Sequence, residues 1–154
     1  MEGKKSVIDS MNKLLAGELA ARDQYFIHSR MYEDWGYTKL YERINHEMAD
    51  ETGHAHQFIH RILMLNGTPT VVPEPIKVGK NVEEMLRFDL EVELSVREHL
   101  KEAIALCERE QDYVTRQLMV EQLKDTEEDH AHWLEQQLRQ IQIMGLQNYL
   151  QSQL

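Results

Sequence analysis

Two short segments of the chain each place a carboxylate and an imidazole three residues apart. The first runs from Glu51 to His54, and the second from Glu127 to His130. On an α-helix, residues three apart lie on one face, about one turn from each other. A carboxylate oxygen and an imidazole nitrogen directed at one point are suitable donors for a first-row transition metal. Each segment is therefore a candidate half of a metal site, and two halves indicate two metal ions.

Apolar residues at helical spacing predict the elements that position these donors. The predicted helices cover residues 6–35, 39–65, 82–110 and 112–144, with a short helix at 146–152. All three prolines lie in the segment 66–80, which predicts an extended connection. At about 3.3 Å per residue, such a connection can travel the length of a helical bundle. We expect an all-α, four-helix bundle in a single domain, 1–154, with a long crossover between helices two and three and a short fifth C-terminal helix.

Charged residues interrupt the apolar stripe of every long predicted helix. Besides the two Glu-x-x-His segments, the first helix carries Glu18 and the third carries Glu93. Buried ionised carboxylates need compensating partners, and no Lys or Arg is evident in the same stripes. Two divalent cations, four carboxylates and two neutral imidazoles give a formal charge of zero. The six predicted ligands are Glu18, Glu51, His54, Glu93, Glu127 and His130.

The order of these residues predicts two related helical hairpins, each giving one single Glu and one Glu-x-x-His. The separation along the chain is nearly the same for the two single glutamates and for the two Glu-x-x-His segments. A simpler interpretation is that these residues are solvated charges at the edges of the apolar stripes.

The composition restricts the class of partner. A net charge of −10 argues against a nucleic-acid or anionic-membrane surface and favours the attraction of cations. The one cysteine, Cys107, cannot form an internal disulfide, and no apolar run approaches the length of a membrane span. We expect a soluble protein located in the cytoplasm.

Across nearly its whole length the sequence resembles bacterioferritin. The resemblance includes the six predicted ligands and several further segments: Leu14 to Leu19, Asp23 to Phe26, His46-Glu47, Asp50-Glu51, Trp133 to Glu135 and Met144 to Leu150. One single Glu from each of two helices and one Glu-x-x-His from each of the other two is the arrangement of ferritin-like di-iron and di-manganese proteins.

The resemblance implies a di-iron ferroxidase centre, with two Fe ions inside each four-helix bundle. It also implies iron stored as a ferric mineral within a hollow homo-oligomeric shell of 24 subunits. By the same resemblance, Glu18 and Glu93 are terminal carboxylates, one per metal, and Glu51 and Glu127 form the bridging pair. The two histidines of the Glu-x-x-His segments are the imidazole ligands.

Four further positions are assigned by the resemblance. Tyr25 corresponds to a tyrosine beside the centre, with core packing as the alternative. His46 and Asp50 correspond to iron-binding residues on the inner surface of the shell, with a plain surface pair as the alternative. Thr52 stands where haem-binding members have a methionine, and it cannot supply a thioether ligand to haem iron.

The departure at Thr52 bears on the expected partners. This subunit is not expected to bind haem by itself, although a mixed shell with a haem-binding paralogue remains open. The family often uses a [2Fe-2S] ferredoxin that docks near the haem as the reductant for iron release, so the missing methionine puts that partnership in doubt.

The expected reaction is the oxidation of Fe(II) to Fe(III) by O2 or H2O2, followed by deposition of ferric mineral. A di-iron or di-manganese oxidase or peroxidase is one alternative. The chain shows neither a Cys-x-x-Cys module nor a sizeable insertion for a substrate pocket. A non-catalytic helical interaction bundle without metal is the other alternative.

Overall fold

The computed structural model describes residues 1–154, and four helical rods make up most of the chain. The elements are α1 (Lys5–Asp34), α2 (Thr38–Met64), α3 (Val82–Arg109), α4 (Tyr113–Asp125), a π-helical turn (Thr126–Ala131), α5 (His132–Met144) and α6 (Leu146–Gln151). Helix α4, the π-helical turn and α5 follow one another without a break and form the fourth rod. The predicted all-α bundle with a long crossover and a short C-terminal helix is confirmed.

Local sequence signals account for the main helix boundaries. Gly36 adopts a φ of +82° directly after α1, and Gly145 adopts +81° between α5 and α6. The Asn81 side chain accepts a hydrogen bond from the Glu84 N–H, which caps the start of α3. Asp112 caps α4 in the same way. These residues set where each rod begins or ends, and hence which residues lie at the same level of the bundle.

The connection between α2 and α3 lies along α1. Near its start, the Asn12 side chain donates a hydrogen bond to the Thr68 carbonyl oxygen at 3.1 Å and accepts one from the Thr70 N–H at 2.8 Å. Near its end, the Gly79 N–H donates to His28 Nε2 at 3.1 Å. Asn12 and His28 are separated by roughly 24 Å along the axis of α1. The chain therefore returns to the opposite end of the bundle, and α3 runs parallel to α2.

The core consists of two apolar clusters at different levels of the bundle. One contains Leu15, Phe58 and Leu100, and the other contains Tyr25 and Ile44 among its fully buried members. The predicted metal ligands lie between these two clusters along the helices. The fold therefore places a charged layer between two apolar clusters.

Candidate metal centre

Five of the six predicted ligands converge on the bundle interior as two groups of three. Ligand atoms of Glu18, Glu51 and His54 all lie within 4.8 Å of one another, and so do ligand atoms of Glu51, Glu93 and His130. Glu51 belongs to both groups. The geometry is therefore that of two adjacent cation positions with one carboxylate between them.

These five residues are deeply buried, although all of them are ionisable. Glu18, Glu93 and His130 are each 1% exposed, Glu51 is 2% exposed and His54 is 8% exposed. No Lys or Arg side chain pairs with the three glutamates. Their charges are compensated only by the two histidines, or by a cation between them.

His54 directs one ring nitrogen at the carboxylates and the other away from them. Its Nδ1 lies 3.6 Å from Glu18 Oε2 and 3.4 Å from Glu51 Oε2. Its Nε2 lies 2.9 Å from Asp125 Oδ2. A carboxylate on the far ring nitrogen is the usual device that fixes the ring of a metal-binding histidine. Nδ1 is therefore the nitrogen available to a metal ion.

His130 is oriented in the same way by a different set of carboxylates. Its Nδ1 lies 3.0 Å from Glu51 Oε1 and 3.3 Å from Glu93 Oε1. Its Nε2 lies 2.6 Å from Glu47 Oε2 and 3.3 Å from Asp50 Oδ2. The His54 and His130 rings are stacked, with centroids 5.9 Å apart. Both histidines therefore present Nδ1 to the buried carboxylates.

The donor set suits divalent cations. Both oxygens of Glu18 and the Nδ1 atoms of His54 and His130 are buried and form no hydrogen bond. Buried polar atoms normally have a partner, so these carboxylate oxygens and imidazole nitrogens leave lone pairs available to a cation. Carboxylate oxygens with imidazole nitrogens suit iron, manganese and zinc. The residues present therefore fit two metal ions.

Burial and mutual repulsion perturb the titration of the centre. Burial, together with the neighbouring Glu51 carboxylate, raises the pKa of Glu18 well above its usual value. Burial alone would lower the pKa of His54, but the carboxylates of Glu18 and Glu51 outweigh it and raise that pKa to about 11. The pKa of His130 is also raised, because Glu47, Glu51 and Glu93 outweigh its burial. Without metal, protons therefore supply the positive charge of the site.

The structure does not bring the sixth predicted ligand, Glu127, to this group. The π-helical turn widens the helix locally, so residues three apart no longer share a face as they do in an α-helix. Thr126 and His130 are buried, whereas Glu127 is exposed and accepts a hydrogen bond from Arg97 Nε at 2.7 Å. Glu127 therefore lies outside the group in this conformation, and its bridging role stays a prediction.

The structure places the four residues assigned by resemblance as follows. The Tyr25 hydroxyl donates a hydrogen bond to Glu93 Oε1, so this tyrosine borders the centre. Asp50 lies beside His130 Nε2, and the His46 Nδ1 is 3.4 Å from Asp50 Oδ2 on the exposed side. Thr52 is exposed, and its hydroxyl donates to the Met48 carbonyl oxygen at 3.0 Å.

Sequence reasoning missed three carboxylates around the histidines: Glu47, Asp125 and Asp129. Glu47 had a signal, because it lies four residues before Glu51 and therefore on the same face of α2. Asp125 and Asp129 had none, because their directions depend on the π-helical turn, which the apolar spacing does not reveal.

An open polar pocket of about 500 Å³ reaches His54 from the surface. Its lining contains no hydrophobic residue and consists of His54, Gln57, Glu121, Gln122, Lys124, Asp125, Glu128 and Asp129. Four carboxylates against one ammonium make the pocket attractive to cations. The buried centre therefore has a polar connection to the outside of the bundle.

Comparison with known proteins identifies the family to which this chain belongs. The family model described as a ferritin-like domain matches residues 8–144. The chain belongs to the ferritin family, which is associated with iron storage.

Individual relatives agree with this membership. The chain is 64% identical to the bacterial ferritin of Neisseria meningitidis serogroup B over 154 residues, covering 100% of both chains. It is 61% identical to the bacterial ferritin of Pseudomonas aeruginosa over the same length and coverage. Identity to the bacterioferritin of Brucella melitensis is 39%, over 97% of this chain and 92% of that protein.

None of the helices is long and apolar enough to cross a membrane.

Proposed function

We propose that this chain is the ferroxidase subunit of an iron-storage shell. The observation that carries the proposal is the position of Glu51, which is shared by two buried three-donor groups. One carboxylate between two cation positions holds two metal ions close enough to give electrons to one oxidant. Fe(II) is the substrate of this reaction, and Fe(III) is its product.

Each donor group would hold one Fe(II). Glu18 and His54 belong to one position, Glu93 and His130 to the other, and Glu51 bridges them. Glutamate oxygens are hard donors that suit the smaller and more highly charged Fe(III) better than Fe(II). The ligands therefore favour the loss of one electron from each bound ion.

Two iron ions supply the two electrons that one oxidant needs. Each Fe(II) gives one electron, so a pair reduces O2 to H2O2 or H2O2 to two waters, with protons taken up by the reduced oxygen. The donors are buried, so the reaction is confined to iron that has entered the centre. Oxidation by O2 and oxidation by H2O2 both stay predictions.

The protein's own residues hold the protons and the orientations. The neighbouring carboxylates raise the pKa of His54 and of His130, so a cation that binds these rings must displace their protons. Asp125 fixes the His54 ring through Nε2, and Tyr25 fixes Glu93 by donating its hydroxyl hydrogen. These partners keep the donor atoms directed at the two cation positions.

The storage part of the proposal concerns the assembled protein. We propose a homo-oligomeric shell of 24 subunits that collects the oxidised iron as ferric mineral. The polar pocket beside His54 connects the centre to the surface of the subunit and gives iron a path between them. Haem binding through Thr52 is not expected, and the cytoplasmic location, the mixed shell and the ferredoxin reductant stay predictions.

An anaerobic equilibrium titration with Fe(II) tests the ligand assignment. The unmodified protein should bind about two Fe(II) per chain in the absence of oxidant. Glu18→Gln and Glu93→Gln should each lose one of these, and Glu51→Gln should weaken both. Glu128→Gln is the matched control, because it removes an exposed carboxylate that lines the polar pocket beside His54 and belongs to neither donor group.

Two results would overturn the assignment. One is a titration in which the unmodified protein binds no Fe(II) above the level of the Glu51→Gln variant. The other is equal binding by all four variants, which would assign the bound iron to the surface.

A further inference from the structure

Two histidines that the candidate metal centre does not use lie one turn apart on α2. His56 and His60 occupy positions i and i+4 of this helix, and both residues are exposed. Their rings are close to parallel, with an interplanar angle of 11° and centroids 6.3 Å apart. The helix therefore presents two imidazoles beside each other on one face.

This pair lies on a different face of α2 from the ligands of the buried centre. His54 belongs to a buried donor group, whereas His56, two residues later and therefore roughly 200° around the helix, is exposed. Phe58 and Ile62 on α2 are both 0% exposed and pack in the apolar core. The core thus fixes the backbone of the pair, and only the two exposed side chains need to rotate when a ligand binds.

The donors of this pair are imidazole nitrogens alone. His54 and His130 in the buried centre form ion pairs with carboxylates. His56 and His60 form no such pair, and neither belongs to any of the three groups of carboxylate and histidine donors in the bundle. An ion that binds this pair therefore meets nitrogen ligands and no carboxylate of the protein.

Two imidazoles at this spacing can chelate a transition-metal ion. Metal–nitrogen bonds are about 2.0–2.1 Å long, and rotation of the two exposed side chains toward each other brings both rings onto one ion. The same i, i+4 spacing of histidines supplies two ligands in helical zinc sites. Among the divalent first-row ions, Cu(II) binds such donors most tightly, and Mn(II) and Fe(II) bind them most weakly. The chemistry of the pair therefore favours copper over iron.

We propose that His56 and His60 form a surface site for Cu(II), separate from the buried centre. The two imidazoles supply two ligands, and water supplies the others because the site is open to solvent. The net charge of −10 favours the approach of a cation. The bundle thus separates metals by donor type, with carboxylate-rich ligands inside for iron and nitrogen ligands outside for copper. The copper site does not depend on the proposed function, because it shares no residue with the centre.

Equilibrium dialysis of the full protein against Cu(II) tests the site. His56→Gln and His60→Gln should each bind about one Cu(II) per chain fewer than the unmodified protein, because a single imidazole cannot chelate the ion. His132→Gln is the matched control, since it removes an exposed histidine at the start of α5 and should leave the count unchanged. Equal binding by all four proteins would overturn the site.

A relocated pair tests the spacing itself. Thr52 is exposed on α2, four residues before His56, so the double variant with Thr52→His and His60→Gln again has two histidines at i and i+4. This double variant should regain the Cu(II) that His60→Gln loses. Failure to regain it would overturn chelation by the pair.

Anaerobic titration with Fe(II) distinguishes the surface site from the buried centre. His60→Gln should bind about two Fe(II) per chain, as the unmodified protein does. If His60→Gln loses iron together with copper, both ions belong to the buried centre, and the separate copper site is overturned.

Discussion

At the scale of single residues, the centre is defined by which atoms of each side chain face one another. The Glu51 carboxylate faces the Nδ1 atoms of His54 and His130. Carboxylates outside the centre contact the Nε2 atom of each ring. A helical face derived from sequence spacing locates a side chain only within one turn. The particular ring nitrogen, and the carboxylate that fixes it, come from the packed structure.

Metal binding should release protons. The pKa of His54 is raised to about 11 in the metal-free protein, so His54 is protonated throughout the neutral range. A cation can bind Nδ1 only after displacing that proton, and each displaced proton makes affinity rise about tenfold per pH unit below that pKa. Zn(II) titrations between pH 6 and pH 8 should show increasing affinity. Isothermal titration calorimetry in two buffers of different ionisation enthalpy measures the number of protons released on metal binding. Release of no protons would contradict this expectation.

Substitution of Glu127 separates the ligand set expected from sequence from the set that the structure brings together. Because Glu127 is exposed and pairs with Arg97, Glu127→Ala should leave equilibrium metal affinity within about threefold of the unmodified protein. Asp125→Ala removes the carboxylate on His54 Nε2 and should weaken affinity by roughly 10–100-fold. Competition with a metal indicator dye measures both. A larger loss in Glu127→Ala than in Asp125→Ala would instead support the predicted role of Glu127 as a ligand.

At the scale of elements, the crossover is attached to α1 by a buried polar network. Asp89 on α3 is 0% exposed and accepts hydrogen bonds from His28 Nδ1 at 2.9 Å and Gln24 Nε2 at 2.8 Å. The same two α1 side chains accept backbone N–H groups of the crossover, from Gly79 and Lys77. One buried network thus fixes α1, α3 and the connection together.

Removal of His28 should destabilise the fold without altering the metal count. His28→Ala leaves the Gly79 N–H without its acceptor and Asp89 without one donor, at a cost of roughly 2–4 kcal/mol. Urea unfolding of the metal-free protein measures this cost, and Asp23→Ala on the exposed face of α1 is the control. A loss below that of the control would show that the network is not structurally important.

The sequence predicted where the helices lie more reliably than it predicted which face of a helix each residue occupies. The apolar stripes of α1, α2 and α3 have a constant period, so Glu18, Glu51 and Glu93 lie where that period places them. The fourth rod contains the π-helical turn, where the period changes within six residues. The prediction for Glu127 assumed an unbroken α-helix. The π-helical turn changes which side chains of this rod face the histidines, so the same assumption did not locate Asp125 or Asp129.

At the scale of the whole molecule, a charged layer lies between two apolar clusters. The apolar clusters hold the four rods together, and the layer between them is compensated only by protons until cations bind. Metal that binds only the folded chain stabilises it by mass action. Stability and function are therefore coupled, and the metal-free subunit is the less stable form.

The proposed shell requires contact surfaces on the outside of the bundle. Phe26 and Ile27 on α1 are 48% and 38% exposed, and Trp35 beyond the end of α1 is 38% exposed, in one shallow apolar pocket. Contiguous exposed apolar groups of this kind mark interfaces. Ile27→Glu should reduce assembly, and analytical ultracentrifugation measures it. Lys101→Glu, which makes the α3 surface more acidic, is the control, and equal assembly by both variants would exclude this face.

Oxidation of Fe(II) by the two buried groups that share Glu51 is tested most directly by stopped-flow recording of Fe(III) absorbance. The protein is loaded anaerobically with increasing Fe(II) and then mixed with air-saturated buffer. We expect a fast phase that saturates at about two Fe(II) per chain and is absent in Glu51→Ala. A fast phase of the same amplitude in Glu51→Ala, or no saturable fast phase in the unmodified protein, would contradict it.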